Sequence, residues 1–358
     1  INIFNDEDHM DIILLEELAK NHKDYHKLFN SKHLSVKITS LKNPYAPHLP
    51  EYRRVFSDVE KIEDRRQRSI IETLLASSEV AAQKYDEYEK LFDTNISITL
   101  KKIAENSGAT RFDRFVTLFD SDSPNVKQGL ARNKEAVKFK EFKSLFKEDN
   151  YDLIRIIASR SDVVEHFKDD YEKKFLDNPT EKFHPSIRIE IAKNKMACEK
   201  LEKYDQLFYD THEDVRIEVA KNPFSYTFVE FDRFVNDTNP VRVEAAKQKN
   251  AIQLPIYKKF YVDDSPEVRR IVAKRKDAPI KHPAQFSRFF VDNNKDVKLE
   301  ATLNENANDI PGFSKLFEST DSEILNALME NKNSIKHKNY TRFFDSNKIK
   351  NPVLREKA

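Results

Sequence analysis

Large apolar residues recur along this chain in one short pattern: an aromatic residue, three intervening positions, then a second large apolar residue. Copies of this box begin at Tyr25, Tyr52, Tyr88, Phe115, Phe142, Tyr171, Tyr204, Phe231, Tyr257, Phe286, Phe313 and Tyr340, most of them 26 to 29 residues apart. In Phe112-x-x-Phe115-x-x-x-Phe119 and Phe139-x-x-Phe142-x-x-x-Phe146 the aromatics fall three and four apart, which predicts a short amphipathic helix with one buried face. Self-similarity at such a period marks stacked units, each too small to bury its apolar face alone.

A second apolar column precedes the boxes: Leu14, Val36, Ile71, Thr99, Val126, Leu153, Ile187, Val215, Val241, Val268, Val297 and Ile324. It anchors a first helix in each unit. Ser265-Pro266 and Ser123-Pro124 supply an N-cap oxygen and a proline at the first helical position, where no amide is wasted. Alanine stands five residues after most anchors, as at Ala76, Ala220 and Ala273, and a small residue there lets a neighbouring helix approach. Asparagine stands seven after the anchor at Asn21, Asn43, Asn106, Asn133, Asn194, Asn222, Asn304 and Asn331. Asparagine accepts the left-handed conformation that closes a helix, so the spacing predicts a turn there in a chain with 3 glycines.

These elements predict an all-α chain: a right-handed α–α superhelix of about twelve ~27-residue helix–turn–helix repeats in a single domain over 1–358. Residues 1–30 read as an atypical capping repeat and 345–358 as a partial last repeat. The spacing stretches at 57–70, where Arg65, Arg66 and Arg68 form a basic insertion, and again at 176–186. Insertions in one connection of a solenoid extend its binding face or are surface loops.

Asp264-Ser265-Pro266-Glu267-Val268-Arg269 and Asp214-Val215-Arg216-Ile217-Glu218-Val219-Ala220-Lys221-Asn222-Pro223 resemble the bacterial leucine-rich repeat variant, which stands near the HEAT-like α-solenoids. The resemblance covers nearly the whole chain and is best between about Asn178 and Phe317. The variant repeats every ~24 residues with a shorter second helix, so the longer period here predicts a fuller, HEAT-like antiparallel pair. The resemblance implies an architecture and little function. One enzyme group shares this kind of stack: HEAT-like alkylpurine DNA glycosylases have a basic concave face and an aromatic pocket that includes Trp. This chain has no Trp.

Charge changes the picture only locally. The chain has 62 basic and 61 acidic residues, so its overall charge makes no case for nucleic acid or membrane. Residues 240–300 hold 14 basic against 8 acidic residues, and residues 1–30 hold 3 against 7. Two basic columns run through the repeats. One follows the anchor, at Lys37, Lys127, Arg188, Arg216, Arg242, Arg269 and Lys298. Its structural reading is a ladder of ion pairs to Glu190, Glu218, Glu244 and Glu300 of neighbouring repeats. The other lies inside the boxes, at Lys27, Arg54, Lys90, Lys173, Arg233, Lys259, Arg288, Lys315 and Arg342. There cations suit a helix C-terminus, and nearby aspartates such as Asp237, Asp263 and Asp292 cap the next helix. The functional reading of both columns is a tract for an anionic partner.

No catalytic motif is present, and the 3 glycines are dispersed rather than gathered in a phosphate loop. The single cysteine, Cys198, precludes an internal disulfide and suits a reducing, cytoplasmic setting. His22 and His26 share helical spacing, but no third ligand is fixed beside them, and no metal or cofactor is expected. No apolar run reaches the length of a membrane span. The expectation is a non-enzymatic scaffold for a protein or peptide partner. The alternative is a nucleic-acid-binding HEAT-like protein related to the alkylpurine DNA glycosylases.

Overall fold

The computed structural model describes residues 12–21, 23–177 and 182–341, and among them there are helices and no strands. The chain forms two compact units, Ile1–Lys174 and Phe175–Ala358. In the first, the anchor-bearing helices Leu34–Leu41, Arg65–Ala76, Ser97–Glu105, Pro124–Arg132 and Tyr151–Ser159 pack each on the next. In the second, Pro185–Lys193, Glu213–Lys221, Asn239–Lys247, Pro266–Lys274, Lys295–Leu303 and Ser322–Glu330 do the same.

Most anchor helices have about two and a half turns because their stop signals are strong. Proline opens several of them, and the residue seven after the anchor leaves helical geometry. The anchors from Val36 to Ile324 are buried. The first repeat differs: Leu14 is 51% exposed, while Leu15 and Ala19 pack against Leu28 and Val36. The expected anchor Leu14 is therefore corrected by one position: the helix turns Leu15 inward.

The box is a helix of another kind. Most boxes are 3-10 helices, as at Asp113–Asp120, Lys140–Lys147, Glu202–Tyr209, Val229–Asn236 and Pro255–Val262. Runs of eight residues are long for this geometry. Three large side chains buried by each box, such as Tyr204, Leu207 and Phe208, provide the compensating packing. Among the described residues only Tyr52–Asp58 and Lys168–Phe175 are wholly α-helical boxes. The expected fuller second α-helix is therefore replaced. The intervening residues form a third short piece, such as Glu79–Lys84, Lys195–Lys200 or Ser225–Thr227.

Box tyrosines also have a polar duty. The Tyr88, Tyr171, Tyr204 and Tyr257 hydroxyls donate to the carbonyls of Ala76, Ala158, Ala192 and Ala246 at 2.5–2.7 Å. Burial drives the Tyr88 and Tyr257 phenols above their ordinary values. The alanine column thus leaves carbonyls accessible at the end of each anchor helix.

Candidate functional site: two internal ladders and an outer strip

The buried asparagines form the first ladder. Asn106, Asn133, Asn194, Asn222, Asn304 and Asn331 are extended, with φ between −83 and −63°, and no residue other than Gly312 has positive φ among the described residues. The left-handed closure is thus replaced by side-chain bridging. Asn222 Nδ2 donates to Ala192 O at 2.9 Å and Asn194 O at 3.3 Å, both in the preceding repeat. Asn133, Asn304 and Asn331 make the corresponding pairs of bonds. Their Oδ1 atoms accept amides of the next turn, as from Glu135, Asn306 and Asn333. Every such bond satisfies a polar group that packing has removed from water.

Three positions in this ladder use other chemistry. Gln248 donates to Ala220 O and Asn222 O. Arg160 reaches Ala131 O and Asn133 O, and Arg275 reaches Ala246 O and Gln248 O. Each arginine is backed by an aspartate two residues on, Asp162 or Asp277. The pair supplies the donors of an asparagine while balancing the guanidinium charge.

The first basic column forms the second ladder. Arg188, Arg216 and Arg269 each grip an aspartate with Nε and Nη2: Asp210 at 2.7 and 2.9 Å, Asp237 at 2.9 and 2.9 Å, and Asp292 at 2.7 and 2.9 Å. Arg242 binds Asp263 at 3.1 Å but shares its Nη2 with the exposed Asp264 at 2.7 Å. Nη1 of Arg216, Arg242 and Arg269 donates back to Asp210 O, Asp237 O and Asp263 O. Rungs therefore join end to end: the backbone at each aspartate receives the next arginine. Lys127 makes a simpler rung with Glu148 at 2.7 Å.

The predicted glutamate partners lie elsewhere. Glu218 and Glu244 pair with Lys221 and Lys247 one turn on, and Glu300 with Arg270. Geometry explains the exchange: an aspartate after the box reaches the helix flank where the arginine emerges, and it also accepts an amide at the next helix start. Burial pushes the Asp237 and Asp292 carboxyls up, but the arginine and backbone hydrogen bonds bring both below the usual carboxylate range. Asp263 goes the other way, because burial outweighs its shared arginine.

In the box column Lys27 pairs with Asp24 at 3.7 Å and Lys90 with Glu60 at 3.3 Å, but four later cations contrast with these arginines. Lys173, Lys259, Arg288 and Lys315 are exposed and make no ion pair among the described residues. Arg233 is half-buried over the Tyr209 ring, 4.0 Å from its centroid. Arg342 lies outside the described residues, as does His22 of the histidine pair. In a 3-10 helix, residues three apart eclipse each other. Lys259 therefore shares its outer face with Val262, and Arg288 with Val291. Val262 and Val291 are 54% and 71% exposed. Neighbouring boxes pack in sequence order, so the second unit displays an outer strip in which cations sit beside apolar groups.

Two cavities flank the boxes. A 520 Å³ cavity in the first unit receives Arg65 and Arg68 of the predicted insertion. That insertion becomes the 3-10 turn Val59–Lys61 and an extra first turn of the helix Arg65–Ala76, capped by Asp64. Arg68 is bound to buried Glu72 at 2.7 Å, whereas Arg65 and Arg66 are exposed. In the second unit, a 600 Å³ cavity is lined by Val291, Lys298, Lys315, Leu316 and Ser319. The 176–186 segment is described only in part; Phe183 packs on Phe175, and His184 caps the helix Pro185–Lys193.

Among the described residues no cluster of His, Cys, Asp and Glu has a metal-binding arrangement, and no helix is long and apolar enough to cross a membrane. Burial pushes the Cys198 thiol up to about 12, which leaves it a poor nucleophile. Comparison with family models and with curated proteins finds no match to this chain.

Proposed function

We propose that the chain is a non-enzymatic helical-repeat scaffold that binds an acidic, partly apolar peptide segment of a protein partner. Its repeats are of the HEAT or leucine-rich-repeat-variant kind, a right-handed α–α superhelix of about twelve ~27-residue units. The carrying observation is the division of labour between the two basic columns. Arg188, Arg216, Arg242 and Arg269 are consumed by internal aspartates, while Lys259, Arg288 and Lys315 face outward with no ion pair among the described residues. Exposed Val262 and Val291 stand beside those cations, which suits a peptide that alternates carboxylates with apolar side chains.

The test is fluorescence anisotropy of the whole chain with a labelled Glu-Leu repeat peptide, alongside single-stranded and duplex DNA at low and physiological salt. Binding of the peptide, lost in Lys259→Glu/Arg288→Glu/Lys315→Glu with the thermal midpoint unchanged, is the expected result. No peptide binding at low salt overturns the reading. So does tighter DNA binding that weakens steeply with salt, which would instead support the nucleic-acid alternative.

A further inference from the structure

In most repeats the cation after the anchor and the acid after the box occur together or are absent together; at Ile154 the cation is missing while Asp177 remains and pairs with Lys203 instead. Arg188 with Asp210, Arg216 with Asp237, Arg242 with Asp263 and Arg269 with Asp292 are complete rungs. Where Leu100 replaces the cation, Ser121 replaces the acid. Where Glu72 replaces it, Thr94 stands opposite and donates its hydroxyl to that carboxylate at 3.0 Å. The correlation has a physical cause, because a half-buried charge without a counter-charge loses solvation without recompense.

Lys298 departs from the pattern in the opposite sense. It keeps the cation, but the residue 21 positions on is Ser319. Ser319 Oγ only accepts the Asp321 amide at 3.1 Å, the turn-starting role the ladder aspartates also perform. Lys298 is half-buried and has no ion pair among the described residues. Asp292, whose charge Lys298 also feels, is held by Arg269, and Asp321 is held by Lys295. The space between Lys298 and Ser319 is the 600 Å³ cavity, open to Lys315 and walled by Phe290, Val291, Leu316 and Ile324.

We propose that this cavity is a specificity pocket in which a carboxylate side chain of the partner peptide takes the place of the missing ladder aspartate. The proposal rests on the peptide-binding reading above and deepens it. The incoming carboxylate meets Lys298 where Asp292 meets Arg269 one rung earlier, with Lys315 as a second cation. An adjacent apolar residue of the peptide lies on Val291 and Leu316, the point at which the outer strip enters the cavity. Lysine suits an exchangeable partner, since it holds a point charge where arginine would fix a bidentate pair.

The test places the missing carboxylate in the protein itself. Ser319→Asp completes the rung and should raise the thermal midpoint while weakening the labelled Glu-Leu peptide about tenfold, the worth of one charge-assisted bond. Lys298→Ala should weaken the peptide similarly without the gain in stability. Asn293→Asp adds the same charge elsewhere in the cavity wall and should weaken it far less. Wild-type binding that Ser319→Asp and Lys298→Ala leave unchanged, or that Asn293→Asp weakens equally, overturns the pocket and leaves the scaffold reading standing. Absence of wild-type binding overturns the scaffold reading itself.

Discussion

The Arg216 guanidinium grips the Asp237 carboxylate through two bonds of 2.9 Å and, through Nη1, holds the Asp210 carbonyl at 2.7 Å. One side chain therefore ties a helix to the loop before it and to the turn after the following box. Both partners are largely buried, at 13% and 7% side-chain exposure, so removing one leaves the other charged in a poor solvent. Arg216→Ala should destabilise the second unit by about 3 kcal/mol, and Arg216→Ala/Asp237→Ala by clearly less than the sum of the single changes. Urea denaturation of the four proteins of this cycle measures the coupling.

The same rungs set an acid limb to the stability profile. Burial raises the Asp237 and Asp292 carboxyls, but their arginine and amide bonds prevail, and both titrate below the unfolded value. Their contribution is therefore complete above the unfolded carboxylate value of about 3.9 and disappears as pH falls through the lower folded values. Asp237→Asn and Asp292→Asn should each flatten stability against pH in that acid range. Asp263 is raised by burial and has the opposite sign, so Asp263→Asn should not flatten the limb. Thermal midpoints across the acid range distinguish the three.

Asn222 offers a different test, because its value lies in carbonyls that belong to other residues. Asn222→Ala leaves Ala192 O and Asn194 O without its amide and Phe224 N without its acceptor. Tyr204 still reaches Ala192 O at 2.6 Å, which limits the damage there. A loss of about 2–3 kcal/mol is expected. Asn222→Asp should cost at least as much, since it retains the acceptor but removes both donors and buries a charge. Hydrogen exchange at Asn194 and its neighbours should rise in both variants.

What could be read from the chain alone was whatever depends on local periodicity. Val215, Ala220 and Tyr204 were legible as core because each recurs at a fixed place in the unit, and all three are buried. The 3-10 character of the boxes was not, because residues three apart share a face in either kind of helix and the added spacing of four reads as α-helical. The duty of Asn222 was hidden for another reason: its partners lie 28 and 30 residues earlier, and the side chain's local preferences favour a turn. The rung partner of Arg216 did leave a signal, since an aspartate recurs 21 to 23 residues after Arg188, Arg216, Arg242 and Arg269. Helix neighbour rules pointed instead to glutamates two positions on, which the structure turns toward other cations.

Gly129 tests how closely two anchor helices approach. It lies inside the helix Pro124–Arg132, where glycine ordinarily costs about 1 kcal/mol against alanine. A Cβ there would come within 2.8 Å of Lys101 O and 2.9 Å of Ala104 Cβ, both on the preceding helix Ser97–Glu105. Neither atom is the end of a flexible side chain, so the helices must separate, and overpacking of this kind costs about 1–3 kcal/mol. The clash should outweigh the helix propensity, leaving Gly129→Ala less stable by about 1 kcal/mol. Asn125→Ala, exposed on the same helix, should be close to neutral. Thermal midpoints of the two variants against the parent chain decide it, and a stabilised Gly129→Ala would mean that the helices can move apart freely.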